Sequence, residues 1–201
     1  MIGLDSLPAT VKLPHRALGG IFQLGHVVRD LAPAMRSYTQ LLGIGPWIVL
    51  TDIISVYRLH YRGLEVKPKM TVAFSYIGDM QIELIQQHDQ TPTPYQAFLE
   101  SGREGLHHFG FMPSDYQAAQ REMEGAGLRS VFDLWPPGSN VPTQYFESPQ
   151  GIGLLFEVVA ETPQRKAAFG AMKSAVDHWD GKTLVREYRT FADFVSDKSS
   201  A

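Results

Sequence analysis

The sequence predicts an α+β fold in which two tandem βαβββ modules form curved mixed sheets around a cleft, followed by a C-terminal helical extension. Two observations support this prediction. An apolar strand followed by a helix start occurs twice, with Asp30 and Asp115 as N-cap candidates 85 residues apart. Short β-like segments separated by Gly- and Pro-containing turns follow each helix. We therefore assign residues 20–100 to the first module, 101–160 to the second and 161–201 to the extension.

The first module begins with an apolar strand at 21–28. Asp30 then begins a helix that Gly43 ends. Apolar residues at spacings of three and four, starting with Leu31 and Met35, predict one buried face on this helix. Four further β-like segments follow, at 47–51, 56–61, 70–77 and 80–86.

The second module repeats the order of the first. A strand at 106–112 precedes Asp115, which begins a helix over 116–126. The remaining strand candidates of this module lie at 128–134, 143–146 and 153–159.

The extension begins with a predicted helix from residue 163 to about 176. Ala168, Met172, Val176 and Trp179 follow helical spacing, so this segment has an apolar stripe that must be buried. Three positions are open for the stripe: against the sheet of its own chain, against a second copy of the chain, or as a lid over the cleft.

The composition of the 201 residues is that of a globular protein, with 44% hydrophobic and 19% charged residues. The absence of cysteine excludes disulfides, thiolate zinc sites and a cysteine nucleophile. A net charge of -3 gives no indication of nucleic-acid binding, and no apolar run is long enough to span a membrane. The first 20 residues lack the apolar core of a signal peptide, so we expect a cytoplasmic protein.

Four polar residues lie in the middle of apolar strands, where an unpaired polar group costs about 1–3 kcal/mol. They are Gln23, Glu83, His108 and Glu157. The offset of 85 that relates the modules carries Gln23 onto His108, and both glutamates lie in the last strand of their module. Pseudo-twofold symmetry would direct an amide, an imidazole and two carboxylates into one cleft.

Side chains alternate between the two faces of a strand, which separates Gln23 from its neighbours Leu24 and His26. The face that carries Leu24 and His26 has the apolar character of a surface covered by a helix. We therefore expect His26 to pack under the first helix, away from the cleft.

Several segments resemble the vicinal oxygen chelate superfamily, which includes glyoxalase I, methylmalonyl-CoA epimerase, extradiol dioxygenases and bleomycin- or fosfomycin-resistance proteins. The resemblance covers about residues 20–160 and is closest to the glyoxalase and epimerase branch. The segments are QLGHVVRDL at 23–31, LLGIGPW at 41–47, IELIQ at 82–86, GLHH at 105–108 and LFE at 155–157.

In that superfamily the metal ligands lie on the first and last strand of each module. The resemblance therefore implies Gln23, Glu83, His108 and Glu157 as ligands of a divalent ion in a metal-binding cleft. Oxygen and imidazole ligands without thiolate suit zinc, nickel, cobalt, manganese or magnesium. This set is similar to that of one glyoxalase I subgroup, and the modules pair within one chain or across a dimer.

The resemblance implies a metal-dependent isomerase, epimerase or lyase that acts on a small carbonyl or thioester substrate. Glu157 is the favoured base for proton transfer beside the carbonyl, and Glu83 is the candidate on the opposite side. Two alternatives stay open: a metal-dependent dioxygenase, against which Gln23 argues because a second histidine is expected there, and a non-catalytic small-molecule binding protein. We expect a homodimer.

Overall fold

The computed structural model describes residues 15–149 and 151–197. The elements before the second module are α1 (His15–Leu18), β1 (Ile21–Val27), α2 (Leu31–Leu42), β2 (Trp47–Leu50), β3 (Arg58–Tyr61), β4 (Leu64–Glu65), β5 (Met70–Ile77), β6 (Met80–Gln87) and α3 (Pro94–Glu100). The second module contains β7 (Gly105–Phe111), α4 (Tyr116–Gly125), β8 (Arg129–Trp135), β9 (Thr143–Glu147) and β10 (Leu155–Val158). The extension adds α5 (Pro163–Asp177), β11 (Val185–Tyr188) and α6 (Phe191–Ser196), and its residues 198–201 lie outside the described part.

The two predicted helix starts are confirmed. The side chain of Asp30 accepts a hydrogen bond from the backbone of Ala32, and Asp115 accepts one from the backbone of Ala118. Gly43 ends α2 in the left-handed conformation that glycine adopts without strain. The repeat at an offset of 85 residues therefore corresponds to a repeated strand and capped helix.

One sheet of eleven strands joins both modules, in the order β11-β2-β5-β6-β1-β7-β10-β9-β8-β3-β4. At its centre β1 and β7 pair antiparallel, and each has the last strand of its own module as a parallel neighbour, β6 and β10 respectively. The four central strands therefore have pseudo-twofold symmetry about the β1–β7 pair.

The segment predicted as a strand at 56–61 does not extend the sheet of the first module. It forms β3, which begins at Arg58 and pairs with β8 at the far edge of the second module. This excursion accounts for the greater length of the first module, in which Gln23 and Glu83 are 60 residues apart against 49 for His108 and Glu157. It also ties the two modules together at a distance from their central contact.

The two faces of the sheet are covered differently. Leu31 and Met35 of α2 pack in one core beneath the first module, and Ala119 and Met123 of α4 pack in another beneath the second. The opposite face of both modules contributes to a single larger core with α3, α5 and α6. None of the helices in the described part of the chain combines the length and apolar character that a membrane crossing requires.

Candidate metal centre

Two neighbouring cross-strand rows of the central sheet carry the four polar residues singled out above. In the first row Gly25 of β1 lies between Glu83 of β6 and His108 of β7. A Cβ atom on Gly25 would lie 1.9 Å from the His108 ring. The absence of a side chain at this position therefore provides the space that the imidazole occupies.

The second row repeats this arrangement with the strands exchanged. Gly110 of β7 lies between Gln23 of β1 and Glu157 of β10. A Cβ atom on Gly110 would lie 2.7 Å from Oε1 of Gln23. Because residues two apart on a strand share a face, the two rows direct all four polar side chains to one side of the sheet. All four belong to one chain, so the arrangement is complete without a partner.

The four side chains are almost fully buried, with exposed fractions of 3% for Gln23, 8% for Glu83, 0% for His108 and 7% for Glu157. Nε2 of His108 lies 3.2 Å from Oε2 of Glu83 and 3.7 Å from Oε2 of Glu157. One donor atom from each of these three residues lies within 4.8 Å of the other two, a spacing that a single metal ion can bridge.

Three atoms of this cluster are buried without a hydrogen-bond partner: Oε1 of Gln23, Oε2 of Glu83 and Nε2 of His108. Each such atom costs about 1–3 kcal/mol when nothing satisfies it. Oxygen and imidazole nitrogen lone pairs that converge at hydrogen-bonding distance require a proton or a cation between them. The donor set therefore fits a divalent cation.

A hydrogen-bond chain fixes the orientation of the Gln23 amide. The hydroxyl of Tyr76 donates to the backbone carbonyl of Phe169, and Nε2 of Gln81 donates to the Tyr76 hydroxyl. Oε1 of Gln81 then accepts from Nε2 of Gln23 at 2.7 Å. Since the Gln23 nitrogen is engaged, its carbonyl oxygen is the atom that faces the cluster.

Burial dominates the electrostatics of the two carboxyl groups. It raises the pKa of Glu83 to about 8 and that of Glu157 to about 7. His108 favours the charged form of Glu157, and a hydrogen bond from the Tyr145 hydroxyl does the same. A cation in the cluster would replace the protons that these groups otherwise hold near neutral pH.

His107 makes a contact that the alternation of strand residues does not predict. The register between β1 and β7 shifts so that Gly25 pairs with His108 and His26 with Leu106, which leaves His107 as an extra residue in β7. Its Nδ1 lies 3.1 Å from Nδ1 of His108. A neutral His108 that presents a lone pair at Nε2 carries its hydrogen on Nδ1 and donates it to His107.

Two tyrosines also escaped the sequence analysis. Tyr145 pairs in register with Glu157 on the neighbouring strand, and its hydroxyl accepts a hydrogen bond of 2.8 Å from the Tyr95 hydroxyl. Tyr145 in turn supports the charged form of Glu157. The signal for Tyr145 was its cross-strand position, which becomes visible only when the register of β9 and β10 is known.

His26 lies on the other side of the sheet from the cluster, as the alternation of strand residues predicts. Its ring contacts Tyr38 of α2 edge to face at 5.5 Å, and its Nδ1 lies 3.2 Å from the backbone carbonyl of Leu24. The histidine nearest the centre of β1 is therefore part of the packing beneath α2.

The cluster forms the polar end of a cavity of about 80 Å³. The extension supplies part of its wall through Arg165 and Phe169 of α5 and Phe191 of α6. Phe169 packs against Phe22 and Phe74, with ring centroids 5.8 and 6.5 Å apart. Of the three positions open for the extension, the structure shows α5 against the sheet of its own chain and over the cleft.

Comparisons with known proteins relate the chain to one family and one fold. The sequence model of the Glyoxalase/Bleomycin resistance protein/Dioxygenase superfamily matches residues 22–144. Among solved structures, a hypothetical protein from Bacillus halodurans C-125 is similar with a TM-score of 0.54 and 18% identity over 71% of this chain and 94% of that chain. Methylmalonyl-CoA epimerase from Mycobacterium tuberculosis gives a TM-score of 0.51 and 20% identity over 81% and 97%. The search of curated proteins gave no match.

Proposed function

The chain belongs to the glyoxalase/bleomycin resistance protein/dioxygenase superfamily, and on this premise we propose that it is a metal-dependent isomerase, epimerase or lyase. The reaction takes place beside the carbonyl group of a small carbonyl or thioester substrate. The observation that carries the proposal is the convergence of buried acceptor atoms from Gln23, Glu83 and His108 that no hydrogen-bond donor satisfies.

Gln23, Glu83, His108 and Glu157 hold a divalent ion in this proposal, and zinc, nickel, cobalt, manganese and magnesium all suit these ligands. The two carboxylates neutralise the charge of the ion. When bound, the ion supplies Lewis acid chemistry, since it stabilises negative charge on a carbonyl oxygen of the substrate.

Glu157 removes the proton beside the carbonyl in this mechanism. The Tyr145 hydroxyl orients Glu157, and the Tyr95 hydroxyl orients Tyr145. Glu83 occupies the equivalent place across the pseudo-twofold axis, so it returns a proton to the opposite side of the substrate when configuration is inverted. The aromatic wall of the cavity excludes water from the reacting group.

The similar solved structures support a reaction of this class, because they include a protein described as methylmalonyl-CoA epimerase. At 20% identity they support the fold alone, so the substrate of this chain is a separate question. The expected homodimer is also a separate question, since one chain supplies all four candidate ligands.

The test combines metal analysis with isotope exchange. Protein purified without added metal should contain close to one divalent ion per chain. The metal-loaded protein, incubated in D₂O with a panel of oxo compounds and acyl thioesters, should exchange the proton beside the carbonyl of at least one compound, as seen by NMR. Glu157→Gln retains the size of the side chain and should retain the fold while abolishing exchange.

Other outcomes would favour the alternatives. Oxygen consumption with ring cleavage would indicate a dioxygenase. Tight binding of a compound with neither exchange nor oxygen consumption would indicate a binding protein. Wild-type exchange in the Glu157→Gln variant would remove Glu157 from the role of base.

A further inference from the structure

Arg165 brings a positive charge to the cavity from outside the part of the chain that the family model matches. Nη1 of its guanidinium donates to the backbone carbonyl of Ala160, and Nη2 lies 3.3 Å from Oγ1 of Thr143. Both partners are neutral. Within residues 15–149 and 151–197 no carboxylate lies within 4.0 Å of this guanidinium.

A guanidinium has five N–H donors, and the contacts to Ala160 and Thr143 engage two of the nitrogens. The nearby negative charge that acts on Arg165 is that of Glu157. Glu157, however, lies beyond ion-pair distance and belongs to the proposed metal centre. Arg165 is thus a partly buried cation whose opposite charge the described residues of the cavity do not supply.

The charges around the cavity leave one positive charge over. Among the described residues that line it, Glu83 and Glu157 are the acidic side chains and Arg165 is the basic one. A divalent ion balances the two carboxylates, and the positive charge of Arg165 remains. A substrate with a single negative charge would complete this balance.

The rest of the cavity wall is apolar and largely aromatic. It includes Phe22 and Phe74 from the sheet and Phe169 and Phe191 from the extension, which pack against one another. These surfaces suit a hydrocarbon group. The polar cluster, the cation and the apolar wall are separate surfaces of one small cavity.

We propose that Arg165 binds the carboxylate of the substrate, and that the substrate is a small oxo acid with one negative charge and an apolar body. The carbonyl oxygen points to the cluster of Gln23, Glu83, His108 and Glu157, and the apolar body lies against the phenylalanines. Arg165 is then the residue that selects an anionic carbonyl compound over a neutral one. This inference rests on the proposed function, because it places the carbonyl at the metal centre.

The test compares an acid with its ester. Binding of 4-methyl-2-oxopentanoate and of its methyl ester to the metal-loaded protein is measured by calorimetry. Wild type should prefer the acid by about 10- to 100-fold, the range expected when a charged hydrogen bond is lost. Arg165→Met should lose this preference and Arg165→Lys should keep part of it. Arg36→Met, an exposed arginine of α2, is the matched control and should behave as wild type.

Metal affinity and circular dichroism of each variant establish that the fold and the metal centre are intact. Equal affinity of wild type for acid and ester, an unchanged preference in Arg165→Met, or binding of neither compound would overturn the inference. The proposed function would be judged separately, by metal content and by proton exchange across the panel that includes neutral compounds and thioesters.

Discussion

Gly25→Ala is the substitution that tests the candidate metal centre most directly. The added Cβ would lie 1.9 Å from Cε1, 2.0 Å from Nε2 and 2.5 Å from Nδ1 of the His108 ring. Ordinary contacts between carbon atoms are about 3.5–4.0 Å, so the ring must move by roughly 1.5 Å. His107 and Tyr145 enclose the ring, with centroids 5.3 and 5.0 Å away, and restrict where it can go.

A metal site tolerates changes of only about 0.2 Å in its ligand distances, so a displacement of this size removes His108 as a ligand. We expect the affinity of the Gly25→Ala protein for Zn²⁺, Ni²⁺ or Co²⁺ to fall by at least about 100-fold, more than the loss of a group that only supports a ligand. Overpacking would also lower stability by about 1–3 kcal/mol.

The assay is competition titration of the metal-free protein against a chromophoric chelator, with thermal unfolding measured in parallel. Gly170→Ala in α5 is the matched control, because a Cβ atom there meets nothing within 4 Å. Gly110→Ala should have a smaller effect than Gly25→Ala, since it displaces the flexible end of Gln23. A folded Gly25→Ala protein with wild-type metal affinity would refute the role of His108.

Three further predictions concern protons, orientation and the extension. Because burial raises the pKa of Glu83 to about 8 and of Glu157 to about 7, metal affinity should rise with pH from 6 to 9, and calorimetry in buffers of different ionisation enthalpy at pH 7 should detect more than one proton released per ion. His107→Phe should weaken metal binding by about 10- to 100-fold in the chelator titration, since it removes the acceptor for Nδ1 of His108. Deleting the residues after Glu161 removes buried Met172 and Phe194 and should lower the unfolding midpoint, followed by circular dichroism, by at least about 10 °C. A pH-independent affinity, a His107→Phe protein that binds as wild type, or an unchanged midpoint would contradict the respective prediction.

The features that the sequence predicts are those that local patterns encode. Asp30 and Asp115 mark equivalent helix starts because a cap depends on neighbouring backbone groups, and the apolar runs mark the central strands. The equivalence of Gln23 and His108 follows from the repeat alone. The structure places both on one face of the central sheet, together with Glu83 and Glu157.

Features that depend on strand register could not be predicted. The extra residue in β7 turns His107 toward His108, whereas strict alternation would separate them. The pairing of β3 with β8 joins segments about 70 residues apart, and no local pattern specifies the partner of an antiparallel strand. The apolar stripe of α5 predicted burial, and its position over the cleft depends on the surface that the two modules form together.

The near symmetry of the centre also shows where the two halves differ. The residue beside Glu157 in the antiparallel register is Tyr145, and the residue beside Glu83 in the corresponding place is Phe74. A hydroxyl therefore supports the charged form of Glu157, while Oε2 of Glu83 has no hydrogen-bond partner. The pKa values follow this difference, at about 7 and about 8.

The same difference assigns distinct tasks to the two carboxyl groups in the proposed mechanism. The group with the lower pKa and the hydrogen-bond donor is the better base near neutral pH, and the group with the higher pKa is the better holder of a proton. An exchange of the two environments, by Tyr145→Phe together with Phe74→Tyr, should therefore reduce the rate of proton removal while leaving the four candidate ligands in place. Proton exchange in D₂O at wild-type rate in the double variant would show that the neighbouring ring does not distinguish the two glutamates.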